Sequence, residues 1–135
     1  MDFSTINFLA VIAAALSTFV LGGLWYSPLL FGKAWMRINN FSESDLATFS
    51  KARMFGWSFI FALIMSANLA MFLAAPGTNV TWGMAAGALA GVGWVAMATA
   101  IIGVFENKSW GYIAINGGYM IVAFVVMGAI IGAWR

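Results

Sequence analysis

The sequence has no cysteine and no histidine, and it has few charged residues. Without cysteine, neither a disulfide nor a thiol nucleophile can form. Without histidine, the chain lacks the commonest general base and the commonest transition-metal ligand. Six lysines and arginines and four acidic residues give a net charge of +2, which is too small to indicate a nucleic-acid partner.

The scarcity of charge leaves three long apolar stretches, residues 3–32, 54–105 and 109–134. A helix needs about 20 apolar residues to cross the roughly 30 Å hydrocarbon core of a bilayer. Hydrophobic residues make up 64% of the chain and charged residues 7%, whereas soluble domains contain roughly 45–50% and 25%. A single soluble core could not bury this much apolar surface, so the sequence predicts an integral membrane protein.

The lengths of these stretches predict the number of crossings. The first and third suit one helix each, and the turn signal Pro76-Gly77-Thr78-Asn79 divides the second into two. We therefore predict an all-α, polytopic membrane protein in which residues 1–135 form a single compact bundle of four transmembrane helices. The predicted spans are residues 6–26, 54–75, 81–105 and 110–134.

Residues 31–53 form the one sizeable polar loop. Within it, Ser42-Glu43-Ser44-Asp45 has the pattern of a capping box, which predicts a helix that starts at Glu43 and continues into the second span. Near the N-terminus, Asp2 stands where a signal peptide would have a basic leader, and the apolar run exceeds the usual 7–15 residues. We therefore expect the first span to be retained in the mature protein.

Basic residues are concentrated at one end of the predicted bundle. Four of them lie in the loop 31–53, Lys108 follows the third span, and only Arg135 lies at the opposite end. Cytoplasmic loops of membrane proteins carry an excess of lysine and arginine. The pattern therefore predicts a cytoplasmic loop 31–53, with both termini on the extracytoplasmic side.

Small residues recur at three- or four-residue spacing on three of the predicted helices, and in the first span they are Ala10, Ala14 and Ser17. The glycines that share this spacing or face are Gly83, Gly87 and Gly91 in the third span and Gly117, Gly128 and Gly132 in the fourth. Glycines four apart lie on one helix face and let another backbone approach closely. Both packing within one chain and an interface between subunits are open interpretations. We expect Trp94 to fill space beside the glycine face.

Three polar side chains within the spans are candidates for function, namely Asn68, Asn116 and Tyr119. Polar groups in hydrocarbon are costly and often functional. The simpler interpretation is hydrogen bonding between helices, which contributes about 0.6 kcal/mol on average. The alternative is a polar path for a solute. No carboxylate or basic group lies in a span core, so an ion-coupled mechanism has no evident carrier.

Residues 22–35 read GGLWYSPLLFGKAW, and we call this segment the interfacial run. Its anchoring and turn-forming members are Trp25, Tyr26, Pro28, Lys33 and Trp35. Aromatic residues favour the headgroup level of a membrane, and proline cannot continue a helix. We expect the run to end the first helix and to hold the emerging chain at the inner interface. Binding of a lipid headgroup or a partner there stays open.

The interfacial run resembles the signature of a family of small bacterial membrane proteins, catalogued as domain of unknown function seventeen sixty-one. Residues 105–109, 115–119 and 128–134 are also similar to that family, so the resemblance covers nearly the whole chain. It implies a four-helix domain in the bacterial cytoplasmic (inner) membrane, and it implies no reaction and no catalytic residue. Relatives often have histidine after the Gly-Tyr pair of the last span, whereas this chain has Met120.

Close-packing glycines without reactive side chains favour a helix-packing and interaction protein. Such a protein would associate through its glycine faces, either with itself or as a subunit of a membrane complex. The alternative is a small channel or transporter for a neutral or lipophilic solute, with a path at an oligomer axis. We expect no enzymatic activity and no catalytic, cofactor or metal site. The predicted partners are the lipid bilayer and either a second copy or a membrane-complex protein, with no nucleic acid.

Overall fold

The structure is a computed structural model that describes residues 2–135, and every regular element in that range is helical. The helices are α1 (Phe8–Trp25), α2 (Gly32–Asn39), α3 (Glu43–Ala47), α4 (Lys51–Phe72), α5 (Val80–Ala90), α6 (Met97–Phe105) and α7 (Trp110–Ala133). A π-helical segment, Gly91–Ala96, joins α5 to α6, and a short 3-10 helix, Phe3–Thr5, precedes α1.

Within the described residues 2–135, four helical segments are long and apolar enough to cross a membrane. They are Phe8–Trp25, Lys51–Phe72, Val80–Phe105 and Trp110–Ala133. They confirm the predicted all-α architecture with four transmembrane helices, and the protein is a multi-pass integral membrane protein. The second span differs most from its predicted limits, because its helix begins and ends three residues earlier than expected.

Each spanning segment begins at a polar side chain that caps its free N–H groups. The first N–H groups of a helix have no acceptor within the helix, and an asparagine or serine side chain supplies one. The capping residues of α1, α4, α5 and α7 are Asn7, Ser50, Asn79 and Ser109. These caps determine where the chain enters each span.

The loop between the first two spans contains the predicted capping box, but α3 does not continue into the second span. The Ser42 hydroxyl accepts from the Asp45 N–H at 3.1 Å, and the Asp45 carboxylate accepts from the Ser42 N–H at 2.8 Å. Hydrogen bonding of the carboxylate to the Ser42 N–H, and secondarily to the Ser42 side chain, lowers the pKa of the exposed Asp45 carboxyl. The expectation of one uninterrupted helix is wrong, because Ser50 adopts an extended backbone and its hydroxyl caps a new helix at the Arg53 N–H.

Helix α7 lies at the centre of the bundle. It packs against both α5 and α1, whereas α4 packs mainly on α1. The shared core consists of Val11, Ala14, Leu69, Ala70, Leu73, Phe124, Met127 and Ile131. The fully buried Ser66 hydroxyl donates to the Val11 carbonyl oxygen at 2.9 Å, and this bond ties α4 to α1.

The two ends of the bundle differ in charge. At one end the N-terminal segment, the α4–α5 turn and the C-terminus meet, and Arg135 Nη1 donates to the Ala75 carbonyl oxygen at 2.9 Å. The opposite end, which we call the basic end, carries Lys33, Arg37, Lys51, Arg53 and Lys108.

The π-helical segment changes which side chains after Gly91 lie on the same helix face as the glycines. A π-turn closes its hydrogen bond over five residues rather than four, so later side chains rotate relative to an α-helix. Trp94 is 64% exposed, and its ring centroid lies 5.9 Å from that of Phe72. The expectation that Trp94 fills space beside the glycines is therefore wrong. Phe124 of α7 lies beside Gly91 instead.

Candidate functional site

The glycines of the third and fourth spans meet each other inside a single chain. A Cβ atom on Gly83 would collide with the Gly128 carbonyl oxygen, and one on Gly128 would collide with the Gly83 carbonyl oxygen. A Cβ atom on Gly87 would lie 2.7 Å from the Phe124 carbonyl carbon. Because these neighbours are backbone atoms, only glycine permits α5 and α7 to approach this closely.

The other glycines on these faces are restricted to different degrees. A Cβ atom on Gly132 would collide with the Asn79 carbonyl oxygen, and one on Gly91 would lie 3.0 Å from the backbone of α7. A Cβ atom on Gly117 would meet Ala96 at 3.6 Å, which is ordinary contact. We call Gly83, Gly87, Gly128 and Gly132 the glycine seam. This seam is covered within one chain.

The interfacial run is hydrogen-bonded to α7. The Trp25 indole Nε1 donates to the Ile115 carbonyl oxygen at 3.0 Å, and the Tyr26 hydroxyl donates to Asn116 Oδ1 at 2.7 Å. The Asn116 Nδ2 in turn donates to the Tyr112 carbonyl oxygen at 3.1 Å. The Asn116 amide therefore uses both its acceptor and its donor within the chain.

Two glycines outside the seam make room for aromatic rings at the α1–α7 contact. The Tyr119 hydroxyl donates to the Thr18 carbonyl oxygen at 2.9 Å, and a Cβ atom on Gly22 would lie 3.3 Å from that hydroxyl. A Cβ atom on Gly118 would lie 3.2 Å from the Trp25 ring. Neither glycine has the four-residue spacing of the seam. No local signal in the sequence indicates their role, because the ring that each glycine contacts is distant in sequence.

The turn after α1 requires a glycine. Helix α1 ends at Trp25, and Pro28 follows, where the helix cannot continue. The Gly32 N–H donates to the Ser27 carbonyl oxygen at 2.9 Å, and a Cβ atom on Gly32 would lie 2.7 Å from the Ser27 carbonyl carbon. Lys33 follows on an exposed position at the start of α2.

A row of aromatic rings leads from α7 to the connection between α3 and α4. Its members, in order, are Tyr119, Tyr26, Trp35, Phe41 and Phe49. Their successive ring centroids lie 5.4, 5.7, 5.3 and 5.4 Å apart. All four pairs have the edge-to-face geometry that aromatic quadrupoles favour. This aromatic row connects the interfacial run to the α3–α4 connection.

Asn68 lies apart from Asn116 and Tyr119. It lies on α4, four residues before the helix ends at Phe72, and its side chain is exposed. Within residues 2–135 the Asn68 amide forms no hydrogen bond, whereas Asn116 and Tyr119 both bond across the α1–α7 contact. The three polar residues predicted for a path therefore do not come together in one chain.

An open cleft of about 940 Å³ lies at the basic end, between the α3–α4 connection and the first turns of α4. We call it the α3–α4 cleft. Its lining residues are Thr48, Phe49, Ser50, Arg53, Met54, Trp57, Ser58 and Phe61. Of these residues, Arg53 alone is charged. In the part of the chain that the structure describes, no three acidic side chains come close enough together to hold a metal ion.

The chain matches a known protein family over nearly its whole length, including almost every feature described above. A family model described as protein of unknown function (DUF1761) matches residues 9–132, which include the interfacial run and all four residues of the glycine seam. No curated protein and no solved structure matches the chain. The match confirms the resemblance inferred from the interfacial run, and the chain belongs to the DUF1761 family of proteins of unknown function.

Proposed function

We propose that this protein is a self-associating membrane protein whose association surface is the exposed face of α4 centred on Asn68. The observation that carries the proposal is the Asn68 amide, which is exposed on a membrane-spanning helix and has no partner within residues 2–135. Polar side chains in spans normally face the bundle interior, a water-filled cavity or another helix. The exposed amide therefore indicates a partner outside the chain.

A second copy of the chain is the partner that amide chemistry fits best. A carboxamide carries both donors and an acceptor, so two Asn68 side chains can bond each other across a two-fold axis. Such hydrogen bonds contribute about 1–2 kcal/mol between model helices. Ile64 and Met71 are exposed on the same face of α4, and they provide apolar contact area around the amide.

The glycine seam does not provide this contact, because α5 and α7 cover it within one chain. Small residues associate helices only where a second backbone can reach them. Among the polar residues singled out within the spans, Asn68 alone offers free hydrogen-bonding groups at the bundle surface. This difference favours α4 over the glycine faces as the association surface.

We further propose that the basic end faces the cytoplasm of a bacterial inner membrane, with both termini outside. Five of the six basic residues lie at that end and only Arg135 lies at the other. The excess of lysine and arginine in cytoplasmic loops supports this orientation. The proposed role needs no catalytic step, in agreement with the absence of histidine and cysteine.

The absence of cysteine makes the chain a ready background for crosslinking. Ile64→Cys, one turn from Asn68, should form disulfide-linked dimers in lipid vesicles under mild oxidation. Leu89→Cys on α5 and Val20→Cys on α1, which are also exposed, should crosslink much less. Adding Asn68→Leu to Ile64→Cys should weaken dimerisation about 5- to 30-fold, the equivalent of about 1–2 kcal/mol. Asn68→Gln retains the amide and should weaken it less.

Three outcomes would count against parts of this proposal. Equal crosslinking of Ile64→Cys and the two control variants would exclude α4 as the association surface. An unchanged dimer fraction in Asn68→Leu would exclude a contribution from the amide. Crosslinks to a different protein in native membranes, without self-dimers, would replace the second copy with a membrane-complex partner.

A solute path at an oligomer axis is the alternative function. Asn116 and Tyr119 hydrogen-bond within the chain, so Asn68 is the remaining polar residue that could line a path between copies. Flux of a neutral solute into vesicles that is abolished by Asn68→Leu, while dimers persist, would favour this alternative. Absence of flux across a broad panel of solutes would exclude it.

A further inference from the structure

The α3–α4 cleft has the size of a ligand site, and the proposed self-association does not use it. Its volume of about 940 Å³ lies within the range of roughly 300–1,000 Å³ that small-molecule sites occupy. The cleft reaches Phe61, which precedes Asn68 by two helical turns, or about 10 Å along α4.

The polar part of the cleft has two groups without any hydrogen-bond partner. The Thr48 hydroxyl donates to the Asp45 carbonyl oxygen at 2.6 Å, and the Ser50 hydroxyl accepts from the Arg53 N–H at 3.3 Å while its own proton stays free to donate. In contrast, the Arg53 guanidinium and the Ser58 hydroxyl are exposed and have no partner within residues 2–135. Both free groups can donate hydrogen bonds to an anion.

The apolar part of the cleft continues along α4 into the membrane span. Trp57 is 55% exposed and Phe61 is 56% exposed, and their rings stack with centroids 5.9 Å apart. Met54 adds a third exposed apolar side chain. The cleft is therefore cationic where α4 begins and apolar toward the bilayer, which is the polarity of a phospholipid.

The charge around the cleft is positive. Lys51 is exposed next to it, and the lining contains no acidic residue. The nearby acidic residues Glu43 and Asp45 lie on α3, and the Asp45 carboxylate is hydrogen-bonded to Ser42. Each lysine or arginine near an anionic membrane surface contributes about 1 kcal/mol of attraction. This field favours an anionic over a zwitterionic lipid.

We propose that the α3–α4 cleft binds an anionic phospholipid, with its phosphate on Arg53 and Ser58 and an acyl chain along Trp57 and Phe61. A guanidinium forms two parallel hydrogen bonds with a phosphate, and aromatic side chains favour the headgroup level. The aromatic row holds Phe49, one wall of the cleft, against Phe41. The interfacial run thereby acquires a positioning role for the lipid site.

The test is a titration of delipidated protein in mild detergent with phosphatidylglycerol or phosphatidylcholine of identical acyl chains, with bound lipid counted by native mass spectrometry. Phosphatidylglycerol should bind about tenfold more tightly or better. Arg53→Gln should reduce this affinity about tenfold or more, as expected for loss of a charge-assisted phosphate contact. Lys51→Gln removes the same charge outside the cleft and should reduce the affinity by about fivefold at most, which is less than the loss in Arg53→Gln.

Each contrary outcome excludes a different part of the proposal. Equal affinity for the two lipids would exclude recognition of the anionic headgroup. Equal losses of phosphatidylglycerol affinity in Arg53→Gln and Lys51→Gln would indicate attraction by the overall positive charge and no specific site. Displacement of the lipid by an equal concentration of inorganic phosphate would indicate a phosphate site without an acyl chain. Asn68→Leu should leave lipid affinity unchanged. Failure of the lipid-binding proposal can therefore be distinguished from failure of the self-association proposal.

Discussion

A single methyl group at Gly87 should force α5 and α7 apart. In Gly87→Ala the new Cβ atom would lie 2.7 Å from the Phe124 carbonyl carbon and 3.1 Å from the Val125 Cα. Ordinary contact begins near 3.4 Å, and the Cβ atom would also collide with the Phe124 carbonyl oxygen, so the two backbones must separate by more than about 0.7 Å. Overpacking of this kind costs about 1–3 kcal/mol. A cost near the upper end is expected, because a backbone cannot move aside as a side chain can.

The chain contains a matched control in the same membrane span. Gly93 lies six residues after Gly87, and a Cβ atom there would have no neighbour within 4 Å. Gly56 on α4 has equally open surroundings. Alanine is favoured over glycine inside a helix by about 1 kcal/mol. Gly93→Ala and Gly56→Ala should therefore be neutral or slightly stabilising.

The assay is unfolding in mixed micelles by titration with sodium dodecyl sulfate, followed by far-ultraviolet circular dichroism. Gly87→Ala should unfold at a lower detergent fraction than the wild type, whereas the two control variants should not. Equal unfolding of all three variants would refute the steric argument. Loss of dimers in Gly87→Ala, with no loss of monomer stability, would instead show that the seam joins two subunits.

Two hydrogen bonds between helices make further predictions for the same unfolding assay. Tyr26→Phe removes the donor to Asn116 and should lower the free energy of unfolding by about 0.5–1.5 kcal/mol. Adding Asn116→Leu should then cost less than it does alone, because the two residues share one interaction. Ser66→Ala removes the bond from α4 to Val11 and should lower the free energy of unfolding by a similar amount. Additive effects of Tyr26→Phe and Asn116→Leu would refute the first prediction, and an unchanged stability of Ser66→Ala would refute the second. Ser17→Ala is the control, because the Ser17 hydroxyl bonds only within its own helix.

The spanning helices could be predicted because their signals are local. A continuous apolar run is a property of the sequence itself, and Pro76-Gly77 marks the turn between the second and third spans. The break between α3 and α4 contains neither proline nor glycine. There the Ser50 side chain competes with the helix for the Arg53 N–H, and such a competition is not visible from residue spacing alone.

The glycine spacing predicted a close approach of backbones, but it did not identify the partner. Whether the face of Gly83 and Gly87 meets α7 or another subunit depends on how the four helices are arranged. The sequence could not distinguish Gly117, which makes only ordinary contacts, from Gly128, which cannot accept a side chain. The sequence does not identify Gly22 and Gly118 as packing residues, because the aromatic rings that they contact are distant in sequence.

The order of residues alone predicts that the chain lies in a membrane, crosses it four times and carries most of its basic residues at one end. These properties follow from hydrophobicity and charge along the chain, because these two quantities determine which segments insert into a bilayer and in which orientation. In contrast, the packing of the helices is needed to show that Asn116 is bonded within the chain while Asn68 is exposed. The two amides are chemically identical, and the direction in which each helix presents its side chain to its neighbours separates their roles.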